Sequence, residues 1–207
     1  FIWTIVEDHL NPKLLFIGTE FGMFCSLDMG NSWREFKNVP TIPIRDLEIH
    51  EEEADLVAAS FGRGFYIVDD YSPIKEYSSQ IDGHPAHLFS VKSTYQYIVA
   101  APEKTATGHN FFTSPNPPYG VKLSYYLGNS ILSKFEERQN NEKAKFSKGE
   151  TIDYPTAKNL EDEAKEKSPR VYLTITDNSG EVVRRINASE RRGYHETYWD
   201  LRTFSQR

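Results

Sequence analysis

A single cysteine, Cys25, stands in a chain of 207 residues, and that scarcity excludes an internal disulfide and any cysteine-built metal cluster. Surplus positive charge is equally scarce. Thirty acidic against twenty-four basic residues leave a net charge of −6, with no Lys/Arg block, so nucleic acid is not an expected partner. No apolar run approaches the roughly 20 residues that a membrane-spanning helix needs. Ser–His–Asp nucleophile motifs, glycine-rich phosphate loops and dinucleotide fingerprints are missing as well. The six histidines, at 9, 50, 84, 87, 109 and 195, show no i, i+4 pair. "HPAH" at 84–87 lacks a nearby third ligand, so neither a metal nor a cofactor is expected. The opening "FIWTIVEDHLNPK" starts inside what reads as a strand. The expectation is a fragment of a longer parent, whose export signal would lie outside this chain.

Aromatic residues, by contrast, are plentiful at 14%, with twelve Tyr and thirteen Phe, which suits β structure. The first third also repeats itself. "TIVEDHLNPKLLFIGTEFGMFCSLD" and "DLEIHEEEADLVAASFGRGFYIVDD" each run through a short apolar stretch, a polar turn, a longer apolar stretch, a glycine turn and a third apolar stretch ending in Asp. Gly22 and Gly64 correspond, as do Asp28 and Asp70, and the two pairs have the same separation. Short Val/Ile/Phe-rich runs punctuated by Gly, Pro and Asn read as strands. Four strands per unit at a period of roughly 40–50 residues is the signature of a propeller blade.

Between the third expected strand, Met23–Ser26, and the fourth, Trp33–Phe36, lies "SLDMGNSW". A carboxylate at Asp28 can accept hydrogen bonds from N–H groups of its own turn. Gly30 can take the positive φ a tight turn demands, and Trp33 offers a large ring to pack on the sheet. Ser26, Asp28, Gly30, Ser32 and Trp33 fill every defined position of the Asp-box, Ser/Thr-x-Asp-x-Gly-x-Ser/Thr-Trp, and are assigned a structural role. The second unit offers Asp70 without the following Gly or Trp, and Pro73 suits a turn or a sheet edge there.

"LLFIGTEFGMFCSLDMGNSW", "IPIRDLEIHEEEADLVAASFGRGFYIVDDYSPI", "FFTSPNPPYGVKLSYYL" and "VYLTITDNSGEVVRRI…GYHETYWDLR" together resemble a bacterial family. Its members are the sortilin-type or neuraminidase-repeat "glycosyl hydrolase" propellers common in Bacteroidetes-like bacteria. The turn that often reads Thr-His-Gly-Arg-Gly in those proteins is Ser60-Phe61-Gly62-Arg63-Gly64 here. The resemblance implies an all-β chain, with the last one or two β-propeller blades over 1–80 and an immunoglobulin-like β-sandwich over 81–207. It also implies a secreted, periplasmic or cell-surface location. The partners expected are the remaining blades of the parent and a glycan or peptide ligand.

In the second half, "VKLSYYL" (121–127), "RVYLTITD" (170–177), "EVVRRI" and "ETYWDLR" (196–202) alternate as half-buried strands should, with "NSG" as a hairpin turn. Trp199 is expected in the core. "SPNPPYG" (114–120) is a turn-rich lead into the first of these strands. Residues 129–168 carry eight positive and nine negative charges. That composition reads as a solvated insertion with a short helix around Glu161–Lys165, or as a docking arm for another domain.

Three functions follow from different classes. The first is a non-catalytic module that completes a propeller and supports ligand or partner binding. The second is one wall of a glycoside hydrolase whose catalytic residues lie mainly in other blades. The third is a sortilin-like peptide-binding propeller. Glycoside cleavage needs two carboxylates flanking the bond, and Glu20, Asp46, Asp69 and Asp70 are the candidates. None forms an evident pair, since neighbouring strand residues point to opposite faces, and no catalytic residue is assigned. Glu20, Phe21 and Arg63, in the turns between second and third strands, are the ligand-face candidates. Ordinary turn residues, with Arg63 in a local ion pair, are the plainer account of the same three.

Overall fold

The computed structural model describes residues 1–37, 39–77, 81–98 and 116–203. They form mostly β-strands in small antiparallel sheets, and the chain divides into two compact units, Phe1–Ile81 and Asp82–Arg207.

The first unit holds two sheets. β1 (Ile2–Glu7), β2 (Leu15–Thr19), β3 (Gly22–Ser26) and β4 (Arg34–Glu35) make an antiparallel meander in chain order. β5 (Ile44–His50), β6 (Asp55–Ser60) and β7 (Phe65–Val68) make the second. Alternation decides which side chains meet. Phe16, Met23 and Cys25 of the first sheet face Ile44, Leu47, Leu56 and Ala58 of the second in one buried core, joined by Leu14 and Tyr71. The backbones approach closely at Gly18, where an added Cβ would lie 2.7 Å from the Ile44 carbonyl oxygen. Any side chain at 18 would force the sheets apart.

The repeat extends to irregularities. At the offset that carries Gly22 onto Gly64, β1 falls on 44–49, nearly the whole of β5. The register of β1 against β2 shifts between Ile2 and Thr4, and that of β5 against β6 shifts between Ile44 and Asp46. Gly22 and Gly64 both take positive φ, at 106° and 81°.

The repeat ends at the exit from β7. There the chain enters a short helix, α1 (Ser72–Glu76), with Pro73 in its first turn. Pro73 is thus neither at a sheet edge nor in an open turn. A proline lacks the N–H a ladder requires, but its fixed φ suits a helix start.

In the second unit, β8 (Ala86–Leu88), β9 (Val121–Leu127) and β12 (Gly193–Trp199) form a sheet in the order β12-β9-β8, and β10 (Val171–Thr176) pairs with β11 (Val182–Ala188) as a hairpin. Tyr125, Leu127 and Ala188 form a small buried cluster, with Val171 and Leu173 packed on it. The Tyr125 hydroxyl accepts a hydrogen bond from the Ser189 N–H at 2.6 Å, tying β9 to the end of β11. Trp199 is not in this core. It closes β12 half-buried, and its indole N–H donates to the Arg202 carbonyl at 3.0 Å. Of the "SPNPPYG" turn, Ser114 and Pro115 lie outside the described residues.

The charged stretch 129–168 holds two helices rather than one short one, α2 (Lys134–Ser147) and α3 (Ala157–Lys165). Neither buries a residue. α2 starts with a reciprocal capping box. The Glu136 N–H donates to the Ser133 hydroxyl at 3.3 Å, and the Ser133 N–H donates to the Glu136 carboxylate at 2.9 Å. Arg138 joins the helices by donating to both oxygens of Glu163, at 2.7 and 2.9 Å, and to Glu142 at 2.8 Å. Lys165 pairs with Glu161 one turn earlier, as their spacing predicts.

Candidate functional site

Antiparallel order puts the β2–β3 and β6–β7 turns at one end of the first unit and the β3–β4 turn at the other. The Asp-box residues close the β3–β4 end. Ser26 is buried, and its hydroxyl donates to Asp28 Oδ1 at 2.8 Å while accepting the Gly30 N–H at 2.8 Å. Asp28 Oδ1 also accepts the Ser32 N–H at 2.8 Å, and Oδ2 accepts the Ser32 hydroxyl at 2.6 Å. Gly30 sits at φ 86°, where a Cβ is disfavoured. Trp33 lies over this glycine: a Cβ at 30 would fall 3.5 Å from Trp33 Cζ2, and the ring stays 37% exposed. Hydrogen bonds from the Ser32 hydroxyl, the Ser32 N–H and the Ser26 hydroxyl hold the Asp28 carboxyl down to about 2. Its oxygens are therefore engaged in closing the turn, not presented to a substrate.

Beside this turn lies a second polar group with no counterpart in the sequence reading. Asp8, 1% exposed, follows β1, and its Oδ1 accepts the N–H groups of Leu10 and Asn11 at 3.0 and 2.8 Å. Its Oδ2 accepts the Tyr71 hydroxyl at 2.6 Å and lies 2.9 Å from Lys75 Nζ. Burial pushes the Asp8 carboxyl up, but the bonds from Tyr71, Lys75, Asn11 and Leu10 outweigh it and hold the group below its ordinary value. Burial, followed by the Asp8 carboxylate, pushes the Tyr71 phenol up. With both oxygens engaged, Asp8 fastens the β1–β2 turn to α1.

At the opposite end, Glu20 and Phe21 form the β2–β3 turn, and Arg63 lies in the β6–β7 turn. Glu20 is half-buried, with its carboxylate 3.6 Å from the Phe1 amino group. Phe21 is 64% exposed. Arg63 is exposed, and no ion pair to it is found among the described residues. The three share an end, but no hydrogen bond, ion pair or ring contact among the described residues joins them.

What this end does assemble is a stack the motifs did not single out. The Arg45 guanidinium carbon lies 3.6 Å from the Trp3 ring centroid and 5.0 Å from that of Phe61. Backbone bonds tie the turns to the strand starts, from the Glu20 N–H to Phe1 O at 3.1 Å and from the Phe61 N–H to Pro43 O at 2.9 Å.

Of the carboxylates weighed for hydrolysis, Asp46 and Asp70 bond to nearby N–H and hydroxyl groups. Asp46 Oδ1 accepts the Leu47 N–H at 3.0 Å and the Thr4 hydroxyl at 3.5 Å. Asp70 accepts both the N–H and the hydroxyl of Ser72. Asp69 follows the end of β7. Among the described residues no group of three His, Cys, Asp or Glu is placed to hold a metal ion, and no helix is long and apolar enough to cross a membrane.

Comparison with family models, with curated proteins and with solved structures finds no match to this chain.

Proposed function

We propose that the first unit is a pair of consecutive blades of an Asp-box β-propeller, followed by an immunoglobulin-like sandwich. In this reading the chain is a non-catalytic structural and ligand- or partner-binding module of a secreted, periplasmic or cell-surface protein. One observation carries it. The first strands of the two sheets, β1 and β5, repeat at one offset down to the same bulge in register, and the sheets stack face to face on one core, as propeller blades do.

The outer faces of the pair support the same reading. In the second sheet Val57 pairs with Ile67 and Ala59 with Phe65, and Phe65 and Ile67 are 74% and 58% exposed. On the first sheet Ile5, opposite Ile17 in the ladder, is 61% exposed. Apolar rows of this kind are what a further blade on either side would cover.

The test is ligand binding set against reducing-sugar release, measured with the chain over neutral and acidic polysaccharides and sialosides. Binding without release is the expected result, because Asp46 and Asp70 already spend carboxylate oxygens on neighbouring N–H and hydroxyl groups. Release of reducing ends from any of these substrates would overturn the non-catalytic reading in favour of a hydrolase.

A further inference from the structure

The shared bulge has a chemical outcome. A bulge adds one residue to a strand and re-aims its side chain. In β1 that residue is Trp3 and in β5 it is Arg45, at equivalent places in the repeat. The two side chains stack on each other, with Phe61 beside the same guanidinium. Trp3 is 42% exposed and Phe61 66%, so the stack is open to solvent.

Arg45 stands in an acidic setting. Residues 1–81 hold fourteen acidic against six basic side chains. Yet among the described residues no carboxylate lies within ion-pair distance of Arg45, and the neighbouring Asp46 is bonded to Thr4 and to its own chain. A guanidinium carries five N–H donors around a planar edge. Stacking on aromatic faces covers the plane, fixes the side chain and leaves that edge free.

We propose that Trp3, Arg45 and Phe61 form a binding site for an acidic polysaccharide. A uronate carboxylate or a sulfate ester takes the Arg45 edge, and the apolar face of a sugar ring packs on Phe61. The surrounding acids decide against a dense polyanion such as nucleic acid. They suit instead a chain of widely spaced charges whose hydroxyls donate to acceptors such as Glu20, which sits at the same end. The site rests on the ligand-binding reading of the first unit and assigns that reading its ligand class.

The test is calorimetric titration of the 207-residue chain with hyaluronan, κ-carrageenan and neutral dextran. The two acidic polymers separate the carboxylate from the sulfate source. At least one of them binds, while dextran does not. Arg45→Gln weakens binding by about tenfold or more, the loss of a charge-assisted contact. Arg45→Lys, which keeps the charge but not the fork, restores part of it. Phe61→Ala, an exposed turn substitution that leaves folding intact, weakens binding severalfold. Lys13→Gln, on the β1–β2 turn at the opposite end, leaves it unchanged. Undiminished binding by Arg45→Gln or Phe61→Ala overturns this site and leaves the module reading standing. Equal binding of dextran overturns the acidic class. No binding of either acidic polymer to the folded chain overturns the site, and failure of the wider panel to bind overturns the module reading as well.

Discussion

The turns that follow β3 and β7 occupy equivalent places in the repeat, yet they release the chain in different ways. After β3, Asp28 gathers the Ser26 and Ser32 hydroxyls and the Ser32 N–H, and the chain returns to the sheet as β4. After β7, Asp70 accepts forward from the N–H and hydroxyl of Ser72, and the chain continues as α1. The strands before the two turns share spacing, bulge and core. The difference therefore lies in a handful of turn residues: Gly30, Ser32 and Trp33 on one side, Ser72 and Pro73 on the other. The strand frame tolerates either exit, because the two sheets share one buried core.

The sharpest way to break this arrangement acts where the two exits meet. Asp8 belongs to the first sheet's β1–β2 turn, whereas its partners Tyr71 and Lys75 belong to the second exit. Asp8→Ala leaves a largely buried ammonium without its counter-charge, and the expected loss is about 3–5 kcal/mol in urea denaturation. Because the folded carboxyl lies below its ordinary value, its contribution is present above the unfolded value of about 4 and is lost as pH falls through the folded one. Asp8→Asn should therefore be less stable than the parent at neutral pH, and the gap should narrow on acidification below about pH 4. A gap that stays constant with pH would sink the link.

Much of the fold can be read in the chain, and what cannot has identifiable causes. β1–β3, β5–β7 and β9–β12 follow from alternation and turn glycines, since a half-buried strand writes its period directly into sequence. The Asp-box turn is equally legible, because all its partners lie within one short, unbroken stretch. α2 is missed because a stretch so dense in charge reads as solvent, although Ser133 and Glu136 spell a capping box. α1 is hidden by Pro73, which is compatible with a sheet edge and a helix start alike. Trp199 misleads because hydrophobicity does not say where on a strand burial ends. The Trp3–Arg45 stack and the Asp8–Tyr71–Lys75 group join residues remote from one another in the chain. Both depend on how two sheets face each other, which no local pattern records.

Within the first exit, Gly30 carries the next largest effect. Its φ of 86° costs an L-residue roughly 1–2 kcal/mol, and the space at its Cβ position is adequate. Gly30→Ala should therefore lose about that much through strain alone, as a lowered urea midpoint with an unchanged slope. A changed slope would mean the turn had reorganised. Asp28→Asn has a pH signature instead. With the folded carboxyl near about 2 and the unfolded near about 4, the stabilisation is present above the upper value and is lost as pH falls toward the lower. The parent should lose this increment on acidification while the Asn variant, already without it, shows a flatter profile across the same window. Identical profiles would assign the box no electrostatic part.

The smallest effects separate the two exits most finely. Both contain a non-glycine residue in the left-handed region, Met29 at φ 59° and Asp70 at φ 51°. At position 29 the side chain is 64% exposed, so Met29→Gly removes strain and little packing. The expected gain is up to about 1 kcal/mol, reduced by the added freedom of the unfolded chain. At position 70 relief of the same kind is offset by the lost hydrogen bonds to Ser72, and Asp tolerates this conformation better than Met does. Asp70→Gly should therefore come out near zero or slightly destabilising. Paired urea melts decide the point. If position 70 gains as much as position 29, the Asp70–Ser72 bonds contribute nothing to the second exit, and Pro73 alone directs the chain into α1.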